Sequence, residues 1–142
     1  MIRILKKIFT SFVILSFANS VAFAQSISNN ALPTNSNVTS GSANISQTAN
    51  KLTVNQNTDK LIANWSSFNI GKDATVQFVQ PSSTSSALNR VTSSDPSYIF
   101  GTLQANGKII LINPNGVLFA NGAKVDVGSI IASTLNMVDK DY

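Results

Sequence analysis

Cysteine, histidine and glutamate are all missing from the 142 residues. Without cysteine no disulfide can staple the fold, and no thiolate is available as nucleophile or soft metal ligand. Without histidine the commonest general base near neutral pH and the commonest transition-metal ligand are gone. Charge is scarce as well, at 11% of residues. The six aspartates are scattered at 59, 73, 95, 126, 139 and 141, so the facing carboxylate pair that sugar hydrolysis requires is not suggested. Asp126 alternates with Val125 and Val127 and reads as solvent-facing, while Asp139 and Asp141 read as solvated carboxylates rather than calcium ligands. Serine and threonine are plentiful but have no base beside them, so nucleophilic catalysis has no support. The composition points to a chain that is not an enzyme and holds no cofactor or metal.

The formal charge of +4 misleads, because Arg3, Lys6 and Lys7 all fall in the first seven residues. From Gln25 onward, seven basic residues face six aspartates, leaving +1. That is no nucleic-acid footprint, and no basic cluster or aromatic stacking platform accompanies it. The basic start, the apolar run Ile8 to Ala18 and the Ala22-Phe23-Ala24 site have the layout of a secretory signal. An apolar core of roughly eleven residues is too short for a bilayer that needs roughly twenty. Residues 1–24 are therefore expected to be a signal peptide, cleaved between Ala24 and Gln25, with residues 25–142 forming one domain.

The most informative stretch runs from Ala105 to Ala123. Asn106-Gly107 opens it and Asn121-Gly122 closes it, with Asn113-Pro114-Asn115-Gly116 between. A type I turn favours Asn at its first position, Pro at its second and Gly at its fourth, and all three are present. The flanking runs are short and rich in β-formers. Four apolar residues in succession, Ile109 to Ile112, suggest a strand covered on both faces. Two arrangements fit: a hairpin across Asn115-Gly116, or a corner between successive strands of a solenoid. Pro114 lacks the N–H that a hairpin ladder wants, and a corner has no such need, so the solenoid is favoured. Ile110, Val117 and Val125 are then expected on successive faces of one coil.

Alternating apolar residues mark further strands at Leu52/Val54, Leu61/Ala63/Trp65, Phe68/Ile70 and Val76/Phe78, with a weaker one at Leu88–Val91. Residues 81–86 and 93–97 read as loop and turn. Gln25 to Gly41 reads as an irregular leader with at most a short edge strand. Val125/Val127 and the run Ile130 to Ala132 close the chain, with a bend at Gly128. The late strands recur on a scale of about twenty residues, the order of one solenoid turn. Trp65 and Phe68 are read as core packing rather than as a ligand platform.

Asn64-Trp65-Ser66-Ser67-Phe68-Asn69-Ile70-Gly71, Val76-Gln77-Phe78-Val79-Gln80-Pro81, Ala87-Leu88-Asn89-Arg90-Val91 and Asn113-Pro114-Asn115-Gly116-Val117-Leu118-Phe119 occur in that order. Together they resemble the N-terminal two-partner secretion domain of filamentous haemagglutinin-type adhesins, over about residues 32–138. The resemblance implies an all-β, right-handed parallel β-helix with capping strands. It implies export through the periplasm and outer membrane of a Gram-negative cell to the surface. The partner it implies is an outer-membrane β-barrel transporter with periplasmic POTRA domains, which recognises the largely unfolded chain; any host-surface receptor stays unknown. It makes Asn113, Pro114, Asn115 and Gly116 the secretion motif. The family's upstream Asn-Pro-Asn-Leu motif is absent, which places the chain with the branch carrying Ala-Leu-Asn-Arg-Val. The family domain continues beyond the length present here, so a truncated domain with an open stack end is expected. Rival readings are a β-helix enzyme acting on polysaccharide and a plain surface-structural β domain.

Overall fold

The computed structural model describes residues 26–142. The expected signal peptide and the Ala24–Gln25 cleavage point lie outside the described residues. The chain winds as a parallel β-solenoid with three faces. Its strands are β1 (Asn37–Ser40), β2 (Ala43–Gln47), β3 (Lys51–Gln56), β4 (Lys60–Trp65), β5 (Thr75–Val79), β6 (Ser86–Val91), β7 (Ser97–Ile99), β8 (Thr102–Ile112), β9 (Val117–Phe119) and β10 (Lys124–Ser133).

One face stacks β3, β5 and the first halves of β8 and β10; the next stacks β4, β6 and the second halves of β8 and β10. β7 and β9 form the third, extended downward by a parallel bridge from Ile70 to Ile99. Thr75 lies over Lys51, Thr102 over Thr75 and Lys124 over Thr102, so successive coils take 24, 27 and 22 residues. The spacing read from the sequence is of the right order. β10 begins the fourth coil.

The core follows from stacking one apolar residue on its counterpart a coil away. Strand alternation sends every second side chain inward, and parallel register places those side chains in columns. Leu52, Val76 and Leu103 make one such column, Leu61, Ala87 and Ile109 another, and Ile70 and Ile99 a third; all are buried. The top members of two columns meet solvent: Phe119 on β9 and Val125 on β10 are each 39% exposed.

Antiparallel strands cap the other end. β2 pairs antiparallel with β3, and β1 pairs antiparallel with β4. The leader is thus more regular than the sequence suggested. β1 is the edge strand allowed for, but β2 had no visible signal, because Ile45 is its one large apolar residue.

Three local expectations also need adjusting. Asn106-Gly107 does not break the chain; β8 continues through it while passing from one face to the next. Val125 and Ile130 belong to one strand, interrupted only by an irregularity around Gly128. Val125 does lie on the face after Val117, but it stacks on Leu103 and so opens the next coil rather than completing the same one. The expected double cover of Ile109–Ile112 is present. Ile109 and Leu111 join the main core, while Ile110 and Ile112 pack outside it with Ile62 and Leu88.

That outer strip is covered by the chain's own last residues. After β10, residues 135–142 cross the outside of the second face, ending in a short 3-10 turn (Asp139–Asp141). Met137 and Tyr142 pack on the strip. The Tyr142 hydroxyl donates to Ser86 Oγ at 2.6 Å, and Lys60 Nζ stands 5.4 Å from the centre of its ring. Burial raises the Tyr142 phenol above its ordinary 10.0, with hydrogen bonding to Ser86 acting the other way. The unfolded phenol therefore loses its proton first as pH rises. The stability contributed by the neutral phenol is complete below pH 10 and is lost as pH climbs through the higher folded value. Urea midpoints above pH 10 are expected to fall more steeply for the wild type than for Tyr142→Phe; equal slopes would show that the ring is not held in this way.

Candidate functional site

Asn113 follows Ile112, the last residue of β8, and is fully buried, with 0% of its surface exposed. The next three residues form the turn that the sequence favoured. The Gly116 N–H donates to the Asn113 carbonyl at 3.0 Å, closing the type I bond between first and fourth positions. The Asn113 Oδ1 accepts from the Asn115 N–H at 3.0 Å, which is the side-chain bond to a backbone two residues on. Gly116 lies at φ 110°, in the left-handed region where a Cβ is strained. β9 then leaves the turn and pairs parallel with β7, not antiparallel with β8, so the hairpin alternative is excluded.

What the sequence did not reveal is where the rest of the Asn113 amide goes. Its Nδ2 donates to the Asp95 carbonyl at 2.9 Å and to Ser97 Oγ at 3.0 Å, both one coil below. Asn115 Nδ2 reaches the Ser93 carbonyl at 2.9 Å, and the Ser97 N–H donates to the Gly116 carbonyl at 2.9 Å. The Asn113 N–H donates upward to the Ser133 carbonyl at 3.0 Å. Asn113 therefore joins three coils at one point. Residues 93–97 were legible as a turn, but nothing local marked them as the floor of the motif.

Two of the other resembling motifs meet in the core of the second face, which ends at this corner. Trp65 Nε1 donates to Asn89 Oδ1 at 2.9 Å, with both side chains buried. Asn89 Nδ2 lies 3.3 Å from the Ala87 carbonyl and 3.4 Å from that of Ile110. Trp65 also packs edge-on against Phe68, with ring centroids 5.6 Å apart. The reading of Trp65 and Phe68 as core is correct. At the preceding corner, Gln80 Oε1 accepts the Gly107 N–H at 2.8 Å, and Gln80 Nε2 donates to Gln56 Oε1 at 3.2 Å. Asn106 is stitched to the Gln80 backbone through both ends of its amide, at 2.8 and 2.9 Å. The polar chemistry of these motifs is thus amide bonding between coils.

No side chain of Asn113–Gly116 is ionisable, and Asp95 contributes its backbone carbonyl rather than its carboxylate. Among the described residues no three carboxylate, histidine or cysteine side chains gather into a metal-binding group. The arrangement can hold a chain in register; it has no means of moving a proton or attacking a bond.

Fold and site together define a parallel β-solenoid module with a buried, amide-stitched corner. The TPS secretion domain family matches residues 24–142. A heme/hemopexin-binding protein of Haemophilus influenzae (strain ATCC 51907 / DSM 11121 / KW20 / Rd) is 44% identical over 106 residues, 75% of this chain and 12% of that protein. Another heme/hemopexin-binding protein of Haemophilus influenzae is 38% identical over 128 residues, 89% of this chain and 14% of that one. The crystal structure of the HMW1 secretion domain from Haemophilus influenzae aligns with a TM-score of 0.73 and 35% identity, over 77% of this chain and 29% of that chain. The chain belongs to the TPS secretion domain family, the secretion-targeting part of two-partner exoproteins. It spans only a small part of the length of the curated relatives it matches, 12% and 14%.

Two substitutions test the corner. Asn113→Ala leaves the Asn115 N–H and the Asp95 carbonyl without their partner and should cost about 2 kcal/mol. Asn113→Asp keeps the Asn115 bond but turns a carboxylate oxygen toward the Asp95 carbonyl in a buried place, so it should destabilise more than alanine. Urea midpoints in the order wild type, Ala, Asp are expected; Asp equal to wild type would show that the amide nitrogen bonds contribute nothing.

Proposed function

We propose that residues 25–142 target an exported protein to its own outer-membrane β-barrel transporter and begin its β-helix at the cell surface. Residues 1–24 carry the chain across the inner membrane and are removed between Ala24 and Gln25. The transporter's periplasmic POTRA domains take the chain while it is still largely unfolded. An extended segment added to a POTRA sheet edge would gain affinity from backbone bonds and specificity from alternate side chains. The completed solenoid is a non-enzymatic surface structure in a Gram-negative cell. Its passenger is an adhesin or a haem- or hemopexin-binding exoprotein of the kind named among the relatives. The present chain serves export rather than haem ligation, in keeping with its lack of histidine and cysteine.

The buried Asn113 amide, bonded into the coil below and backed by the coil above, is the observation that supports a structural role for the secretion motif Asn113-Pro114-Asn115-Gly116. In this reading the motif acts first as a corner, and export depends on it because the domain must fold outside the cell. Pro114→Ala should cost under about 1 kcal/mol, chiefly by loosening the unfolded chain. Gly116→Ala should cost about 1–3 kcal/mol through backbone strain.

Surface export and urea midpoint are to be measured for Asn113→Ala, Pro114→Ala and Gly116→Ala with the transporter present. The two quantities should fall together across the series. Export lost at unchanged midpoint would reject the corner-first account in favour of direct recognition of the unfolded motif. Wild-type export that persists without the transporter would overturn the targeting function itself.

A further inference from the structure

The last residues do not follow the coil. At the corresponding point one coil earlier, Ile112 leads through the Asn113 corner into β9. Ser133 pairs with Ile112, yet the chain beyond it turns back across the outer face of the second sheet. A bond of 3.0 Å from the Leu135 N–H to Ser133 Oγ makes that departure.

The segment is then fastened to coils far away in sequence. Arg90 is its principal anchor. Its Nε donates to Asn136 Oδ1 at 3.1 Å, and its terminal nitrogens bond the Met137 carbonyl and the Asp139 carboxylate. The Arg90 side chain is 14% exposed, whereas Asp139 is 61% exposed. The guanidinium therefore lies partly buried beneath the segment, with all its bonds there directed at this one stretch. Tyr142 bonds Ser86 in the second coil, and Lys60 Nζ in the first coil bonds the Tyr142 main-chain oxygen. Met137 and Tyr142 cover a strip built from β4, β6 and β8.

We propose that residues 135–142 are a latch that closes only after the coils beneath it have stacked, with Arg90 as its catch, and that holds the first three coils together. The contacts demand this order. They span 49 residues from Arg90 to Asp139, 56 from Ser86 to Tyr142 and 82 from Lys60 to Tyr142. Loop closure over such separations is entropically costly until the coils between have stacked. The strip that receives Met137 and Tyr142 exists only when β4, β6 and β8 lie side by side. Coils laid down one on another form and melt from their ends, as in repeat arrays. A segment bonded to the first two coils after the fourth has been entered removes that freedom. This rests on the reading that the chain folds outside the cell, and gives that folding a step that makes it hard to reverse.

Folding and unfolding rates of the purified chain in urea test the latch without any transporter, so its failure is distinct from a failure of export. Arg90→Met keeps the apolar stem and removes the catch. The unfolding rate should rise about tenfold or more, while the refolding rate changes less than about twofold, because the contacts form after the rate-limiting step. Asp139→Asn and Tyr142→Phe disturb single contacts, fold in any event, and should show smaller effects confined to unfolding. Refolding slowed as much as unfolding is accelerated would place the segment in the nucleus and overturn the proposal. Unchanged rates in all three variants would overturn it too, making the segment a passive cover.

Discussion

Register between coils is the constraint on which everything else in this domain depends. A parallel solenoid gains a core only if each inward side chain lands on its counterpart below. A slip of one residue would turn Leu103, Ile109 and Leu111 to the outside. Backbone ladders do not prevent such a slip, since they look the same at every residue. Amide side chains prevent it, because the partners of each exist at one register only. Asn113 fits Asp95 and Ser97, Gln80 fits Gly107 and Gln56, and Asn89 fits Trp65. Buried amides with unmet bonds are costly, so a slipped register loses hydrogen bonds as well as apolar contact.

This explains how a chain without cysteine can organise a solenoid from short strands. It also explains the preponderance of asparagine and glutamine at the corners over charged groups. An amide donates and accepts at once, so a single side chain can bond its own turn and the neighbouring coil together. A carboxylate could accept only. The Asn113 corner holds no ionisable side chain of its own, and the family role of the domain is export.

The type I turn was legible because its determinants are contiguous: Asn113, Pro114 and Gly116 each serve a local position. The apolar doublets of β4, β5 and β8 were legible for the same reason. The partners of Asn113 were not, since Ser97 and Asp95 lie a coil away and look like any serine-rich turn. Asn106-Gly107 carries a common turn signal, but Gln80 from the coil below holds the Gly107 N–H and the strand runs on. β2 is hard to see in the sequence because its inward positions hold only Ala43 and Ile45, a single alternation too short to mark a strand. The strap over Ile62 and Leu88 was hidden as well. Its residues are mixed in character, and neither the weak strand nor the Ala-Leu-Asn-Arg-Val motif that holds Arg90 points to partners nearly fifty residues on.

Amide hydrogen exchange is the measurement that bears most directly on the claim that stitched corners hold the coils in register. The N–H groups of Ser97, Asn113, Asn115 and Gly116 all have acceptors in this structure. If the corner is a structural element, these amides should exchange as slowly as those of Ile109 and Leu111 in the adjoining strand, and through the same global opening. Exchange of the four corner amides orders of magnitude faster than that strand, in an otherwise folded domain, would mean that the corner opens freely and that register is set elsewhere.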